Sequence, residues 1–374
     1  MRTLVLATET PIPPTSGLRV RTLHLTRQLA AVADVDVAAL GDAPSVPGEP
    51  FRLHGVGRGR GRLAAALAAI RRPYLAAKLD SRELASFASR GGWDTVQAEF
   101  PFTVPAALQA GVPVVLDAHN VETDVVLGFL GQAPHLAARL RWTVEQRRTE
   151  RFERWAVASA QAVCATSSED AERLTSLGAR RVEIVPNGVE TSALAFADPS
   201  DEPRLLYVGH YGYRPNAAAA RELVREVLPR VRQRIPAATV TLVGGDPPQD
   251  LGGEAVVAAG AVPSVVPYLH RSRALVVPLR AGSGTRLKVL EALAAGLPVV
   301  STPLGVAGLD VRDGEEVLLG ETADDLASQA ARVLEDRSLA VFLARNGRAL
   351  AERRYDWGVV AQPLLALHEE LART

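Results

Sequence analysis

The chain has 374 residues, 42 basic and 42 acidic side chains, 47% hydrophobic residues and a mean hydropathy near zero. A balanced charge argues against a general nucleic-acid binder, and the apolar fraction supports a sizeable core and excludes wholesale disorder. The length suits two domains, and a single cysteine, Cys164, rules out an intrachain disulfide or a thiolate zinc cluster.

The opening apolar run, in MRTLVLATETPIPPT, is too short for a signal peptide or a membrane span, so the expectation is a cytoplasmic protein. Short β-branched runs then alternate with longer Ala/Leu/Arg segments, the pattern of α/β units with buried parallel strands. Strands are predicted at 3–8, 35–40, 95–99, 112–118, 162–167 and 182–187, with a long amphipathic stretch over 134–160. The polar, Pro-containing segment 195–204 reads as a linker. The pattern restarts with strands at 204–209, 238–245, 254–260, 273–279 and 297–302, and a helix over 215–234. Two successive doubly wound units imply a cleft between them, with loops at the carboxyl ends of the strands. There is no internal repeat.

Residues 51–90 hold nine basic and two acidic side chains. They form either a solvated loop and helix face or a basic surface making peripheral contact with anionic membrane. Asp34 and Asp36 form a DVD triplet, but they start an alternating strand with no other acidic cluster aimed at them, so a structural role is expected. His24 reads as a helix-face residue, and Asn187, before Gly188, as a turn residue.

The segment LRAGSGTRLKVLEALAAGLPVVST (279–302) reads as a Gly-rich loop, a helix stopped by Gly296 and Pro298, and a strand. Arg286 and Lys288 fall in the first turn, where the helix dipole disfavours cations. They make sense if a phosphate or diphosphate binds there. Neither a Walker loop nor a GxGxxG dinucleotide fingerprint is present. Glu291 lies one turn further on the same face, placed to accept hydrogen bonds from sugar hydroxyls.

This segment resembles the donor-binding region of retaining glycosyltransferases of family 4, with the GT-B fold: two Rossmann-like domains facing across a cleft. PPTSGLRVRTLHLTRQLA, VLDAHNVETDV, CATSSEDAERL, VEIVPNGVE and LLYVGHYGYRPN follow in the family's order. The resemblance implies an N-terminal acceptor-binding domain at 1–192, with a terminal helix near 359–374 packed back on it. It implies a C-terminal domain binding a nucleotide-diphosphate sugar at 193–358. Of the family's two glutamates seven residues apart, the second matches Glu291, and the first is replaced by Ser283. The family's Arg and Lys pair after the first strand of the second domain is replaced by His210 and Arg214.

The implied reaction moves a sugar from nucleoside diphosphate to an acceptor: a glycan, a lipid-linked species or a natural product. As the diphosphate departs, charge grows on its oxygens, and preorganised donors lower the barrier. Candidates are Arg286, Lys288, Arg214, His210 and the backbone at Ser283, Gly284 and Thr285. Gly17 would admit the diphosphate close to the backbone, with Arg19 beside it. Cationic side chains in these places make a metal or other cofactor unnecessary. Gly260 and Val262 would meet the base and Glu291 the ribose. His119 would contact the transferred sugar or the acceptor; Asn120 and Glu122 would shape the acceptor site, with Asp117 supporting the loop. A nucleotide-sugar epimerase or hydrolase on the same scaffold, or a nucleotide-sugar-binding protein without catalysis, are the alternatives.

Overall fold

The computed structural model describes residues 1–59, 61–69, 72–131, 133, 135–282 and 286–373. The chain divides into two compact units, Met1–Asn187 with Val360–Thr374, and Gly188–Val359.

The first unit is built on seven parallel strands: β1 (Arg2–Ala7), β2 (Asp34–Ala39), β3 (Arg52–Gly55), β4 (Thr95–Glu99), β5 (Val114–Asp117), β6 (Ala162–Ala165) and β7 (Val182–Ile184), in the order β3-β2-β1-β4-β5-β6-β7. The second has six: β8 (Arg204–Val208), β9 (Thr239–Val243), β10 (Val256–Gly260), β11 (Ala274–Val277), β12 (Val299–Ser301) and β13 (Val317–Leu319), in the order β10-β9-β8-β11-β12-β13. Their pairings are parallel. Central strands such as β5 and β11 are buried at every residue, because helices cover both faces of a parallel sheet. Each unit has its own apolar core. Strands β3 and β13 were not among the expected elements. The first, RLHG, is a sheet-edge strand of mixed polarity, and the second, VLL, has three residues, too few for a period to register.

The amphipathic stretch forms the helix Leu136–Ser159. The helix expected over 215–234 is α-helical over Arg214–Glu222 and Leu228–Arg234, with a wide turn at Leu223–Val227 between them. Pro229 lacks the N–H that a regular helix would use there, so a widened turn accommodates it. Residues 195–204 lie within the second unit rather than between units. There the Ala197 N–H donates to the Ala295 carbonyl (3.1 Å) at the end of the helix Leu287–Ala295. Gly296 ends that helix with φ +81°, and a Cβ there would meet the Ala197 oxygen at 2.5 Å.

The terminal helix Gln362–Leu371 belongs to the first unit. Its fully buried His368 bonds through Nδ1 to Thr95 Oγ1 (2.8 Å), which meets Thr3 Oγ1 (3.1 Å). Among the described residues, no helix is long and apolar enough to cross a membrane.

Candidate functional site

In the second sheet the strand order reverses between β8 and β11: β9 and β10 extend one way from β8, and β12 and β13 the other from β11. Such a reversal leaves a crevice at the carboxyl ends of the strands. The helix Leu287–Ala295 follows β11, and Lys288 in its first turn reaches to β8. Lys288 Nζ donates to Tyr207 Oη (3.2 Å) and Asn216 Oδ1 (2.9 Å), and lies 4.3 Å from the centre of the Tyr207 ring. Tyr207 Oη donates to Asn216 Oδ1 (2.9 Å), and Asn216 Nδ2 donates to the His210 carbonyl (3.0 Å). Gly209 makes room for this arrangement, since a Cβ there would fall 2.9 Å from the Asn216 side chain and 3.1 Å from Lys288 Nζ. Gly244, at φ +134°, lets its backbone lie against Gly209, where a Cβ would fall 1.9 Å from the Gly209 oxygen.

Arg286 caps the helix and is 7% exposed. Its Nη2 donates to the carbonyls of Gly282 (3.0 Å) and Leu304 (3.2 Å). The helix behind it buries Val289, Leu290 and Ala292 to Ala295, and this nearly all-round apolar surface fixes its position. The electrostatics follow from burial. Desolvation, then Arg286, pulls the Lys288 ammonium down to about 7. Desolvation pushes the Glu291 carboxyl up to about 7 against the opposing pull of Lys288, and holds the Arg286 guanidinium below its usual range.

Of the other sequence-derived residues of this unit, His210 joins that cluster through its backbone carbonyl alone. The His210 side chain is exposed, 3.8 Å from Asp246. Arg214 is exposed at the start of its helix. Gly260 ends β10 at φ +68°, and its carbonyl accepts the Gly244 N–H (2.7 Å). Val262 packs half-buried against the core. Ser283, Gly284 and Thr285 lie outside the described residues.

In the first unit, Glu99 and Asp117 close β4 and β5 and pair directly in register, so two carboxylates stand side by side at the sheet's carboxyl edge. Arg21, from the helix Gly17–Ala30, binds Asp117 through Nε (2.8 Å) and Nη2 (2.6 Å). Its Nη1 donates to the Pro186 carbonyl (3.0 Å) and Asn187 Oδ1 (3.1 Å). Glu99 accepts from Thr22 (2.9 Å) and Gln97 (2.5 Å), and its Oε2 lies 2.5 Å from His119 Nε2. His119 Nε2 is 3.4 Å from Asp117 Oδ2. The Phe100 ring stacks on the His119 ring at 4.3 Å, held by a backbone φ of +69°. Burial opposes ionisation of Asp117, yet the Arg21 and His119 charges hold its carboxyl below the usual range.

Glu99, Asp117 and His119 have the composition of a metal site, but the geometry is that of an ion-pair network. The Arg21 fork takes both oxygens of Asp117, and Thr22 and His119 share one oxygen of Glu99. The DVD triplet is likewise consumed: Asp36 accepts from Arg52 (2.7 and 2.8 Å), His54 (2.7 Å) and Arg2 (3.2 Å). Although burial pushes its carboxyl up, these bonds hold it well below the carboxylate range.

Arg19 is bound to Glu9 through Nε (2.8 Å) and Nη2 (2.5 Å) and braces the loop before Gly17, which is exposed at the helix start. Glu122 begins the helix Glu122–Gly131 and is buried. Burial, then Glu153, pushes its carboxyl up to about 7 against a hydrogen bond from Asn120. Glu153 caps that helix by accepting the N–H groups of Glu122 (2.7 Å) and Thr123 (2.9 Å). Arg21, Glu99, Tyr207, Asn216 and Glu153 were not anticipated. A signal existed for Glu99 and Tyr207: each is a polar group at the carboxyl end of an apolar strand.

The chain matches two family models, Glycosyltransferase Family 4 over residues 15–193 and Glycosyl transferases group 1 over residues 202–336. Between them they cover most of its length. It belongs to the family 4 glycosyltransferases. Among curated proteins it resembles the phosphatidyl-myo-inositol mannosyltransferase of Mycobacterium tuberculosis (strain CDC 1551 / Oshkosh), 31% identical over 219 residues, 54% of this chain and 57% of that protein. The match therefore spans little more than half of that relative. Among solved structures it resembles sucrose-phosphate synthase from Thermosynechococcus elongatus, with TM-score 0.75, 20% identity and 99% of both chains covered. It also resembles Anabaena Alr3699/HepE in complex with UDP-glucose, with TM-score 0.69, 16% identity and 100% of both chains covered. The fold is GT-B.

Proposed function

We propose that the chain moves a sugar from a nucleotide-diphosphate sugar to an acceptor, with retention at the anomeric carbon and without a metal. One observation carries this reading. The Lys288 ammonium is withdrawn from water at the β8/β11 reversal beside the Arg286 guanidinium, and its hydrogen bonds end on phenol and amide oxygens. Burying charge this way is costly unless an anion arrives. A diphosphate would return Lys288 to full protonation, and the same contacts would strengthen as the leaving group gains charge. The relative whose structure holds UDP-glucose supports a nucleotide-sugar donor.

In this reading Glu291 binds the ribose, Gly260 and Val262 approach the base, and backbone at Gly17, Gly284 and Thr285 approaches the diphosphate. Arg214 and Arg19 supply outer positive charge, His210 is a further donor-site residue, and Ser283 stands where the family has glutamate. His119, Asn120 and Glu122 receive the acceptor. Metal independence is supported by cations already occupying both charged clusters. A cytoplasmic location, with peripheral membrane contact through residues 51–90, fits the exposed Leu63 and Leu67 on the helix Arg62–Ala68. Arg52 takes no part in that contact, being bound to Asp34 and Asp36.

The test is titration calorimetry with UDP, GDP, ADP and dTDP compounds in buffers of different ionisation enthalpy. At least one should bind and take up a fraction of a proton near pH 7.5. That uptake should be clearest in Glu291→Gln, where the coupled carboxyl is gone, and should disappear in Lys288→Met. Absence of heat with every nucleotide defeats the reading. Binding without acceptor-dependent release of nucleoside diphosphate would leave a nucleotide-sugar-binding protein.

A further inference from the structure

Two cavities adjoin on the first unit. One, of about 750 Å³, is lined mostly by apolar side chains, among them Phe102, Val126, Phe129, Leu140 and Trp142, with the Phe129 and Trp142 rings stacked at 5.1 Å. Its polar members include the buried Glu122 and the half-buried Glu145, and Glu145 already accepts the Tyr74 N–H (2.6 Å). The other, of about 720 Å³, is lined by Arg72, Arg147, Arg148 and Arg151 with Phe152 and Trp155. The two share Pro73 and Arg148.

Among the described residues, no acidic side chain lines the second groove. Arg72 stands 3.6 Å from Asp80, while among the described residues no carboxylate pairs with Arg147, Arg148 or Arg151. Arg147 and Arg151 are four apart on one helix, a like-charge spacing that weakens it. Clustered guanidinium forks match a phosphate dianion, and the neighbouring cavity matches an apolar chain.

We infer that the first unit binds an amphiphile, with its apolar chain in the Phe129–Trp142 cavity and its phosphorylated head in the groove of Arg147, Arg148 and Arg151. Calling this ligand the acceptor rests on the reading above. Glu122 links the two ideas, because it lines the apolar cavity three residues after His119. A single dispersed molecule fills the site; a bilayer surface is the competing occupant.

The probe is farnesyl phosphate, kept below its micellar concentration and followed by the fluorescence of Trp142 and Trp155 in the full chain. Saturable binding is expected, at least tenfold tighter than that of farnesol or inorganic phosphate. The double variant R147Q/R151Q alters exposed side chains and should keep the melting profile. It should weaken farnesyl phosphate at least tenfold and leave farnesol unchanged, whereas L140R should weaken both. Three outcomes overturn the inference: no saturable binding, farnesyl phosphate no tighter than farnesol, or binding only to phosphatidylglycerol vesicles. Nucleotide heats measured on the same protein separate the two readings. Lost lipid-phosphate binding with nucleotide binding intact removes only this site; the reverse removes only the donor assignment.

Discussion

The two units each bury cations at the carboxyl edge of a parallel sheet, yet they treat them oppositely. In the first, Arg21 meets Asp117 through a fork of two bonds, and Glu99 meets His119 and Thr22. Burial there is answered by opposite charge, so the Asp117 carboxyl stays below its usual range and the Arg21 guanidinium above it, despite desolvation. In the second, the hydrogen bonds of Lys288 end on neutral oxygens, and desolvation drives Lys288 and Glu291 both to about 7 despite their mutual pull. A satisfied network holds a fold together. An unsatisfied one stores a preference for a ligand.

The contrast is broken most forcefully at Arg21. Removing one member of a buried pair strands the other, at a cost of about 3–5 kcal/mol. Arg21→Ala should therefore destabilise the first unit by that amount in a denaturant titration, with the second unit's transition unmoved. A loss under about 1 kcal/mol would make the network as weak as an exposed pair. Lys288→Met should act the other way. Donor turnover should fall about a hundredfold, equivalent to about 2.7 kcal/mol of transition-state stabilisation, while the second unit melts no lower than before, since a desolvated charge has gone. Unchanged turnover would remove Lys288 from the diphosphate site.

The same contrast explains what could be read from the sequence. The central strands of both sheets were legible because each buried parallel strand is an apolar run, whereas the short strands β3 and β13 at the sheet edges were not. Arg286 and Lys288 were legible because cations at a helix start contradict the dipole, and a contradiction in one short segment is visible without a fold. Arg21, Asp117 and Glu99 were not legible as a unit. They sit 96 and 77 residues apart along the chain, counted from Arg21 to Asp117 and from Thr22 to Glu99, and only the sheet order brings them together. Tyr207 and Asn216 were missed for the same reason: their partner Lys288 arrives from another crossover. Segment 195–204 misled because its composition is that of a linker, while its backbone bonds serve the helix end at Ala295.

His368 extends the comparison to a buried base with no charge partner. Burial pulls its imidazole down to about 3, so the folded state resists the proton that the unfolded chain accepts near 6.5. The stability it protects is complete above about pH 6.5 and is lost as pH falls from there toward 3. Glu122 works in the opposite sense, its raised carboxyl favouring the folded state between about 7 and its ordinary value. The measurement must therefore be a difference. Between pH 7.5 and 5, the stability gap between the parent and His368→Gln should shift against the parent by about 2 kcal/mol, at about 1.4 kcal/mol per pH unit. A pH-independent gap would mean that His368 titrates normally.

Arg19 gives the smallest effect and the finest distinction. It lies two residues before Arg21 on the same helix, and it too ends on a carboxylate, that of Glu9. Its pair is partly open to water, 25% exposed at Arg19 and 38% at Glu9, so solvent screens it and the contribution to stability is about 0.2–1 kcal/mol. Arg19→Gln should lower stability by no more than that, in contrast to Arg21→Ala. Its effect on nucleotide affinity decides what the exposed cation does. If Glu9 holds the guanidinium throughout, affinity for the nucleoside diphosphate changes less than threefold. A tenfold loss would mean that the ligand draws Arg19 away from Glu9, and Glu9→Gln should then tighten binding by releasing it.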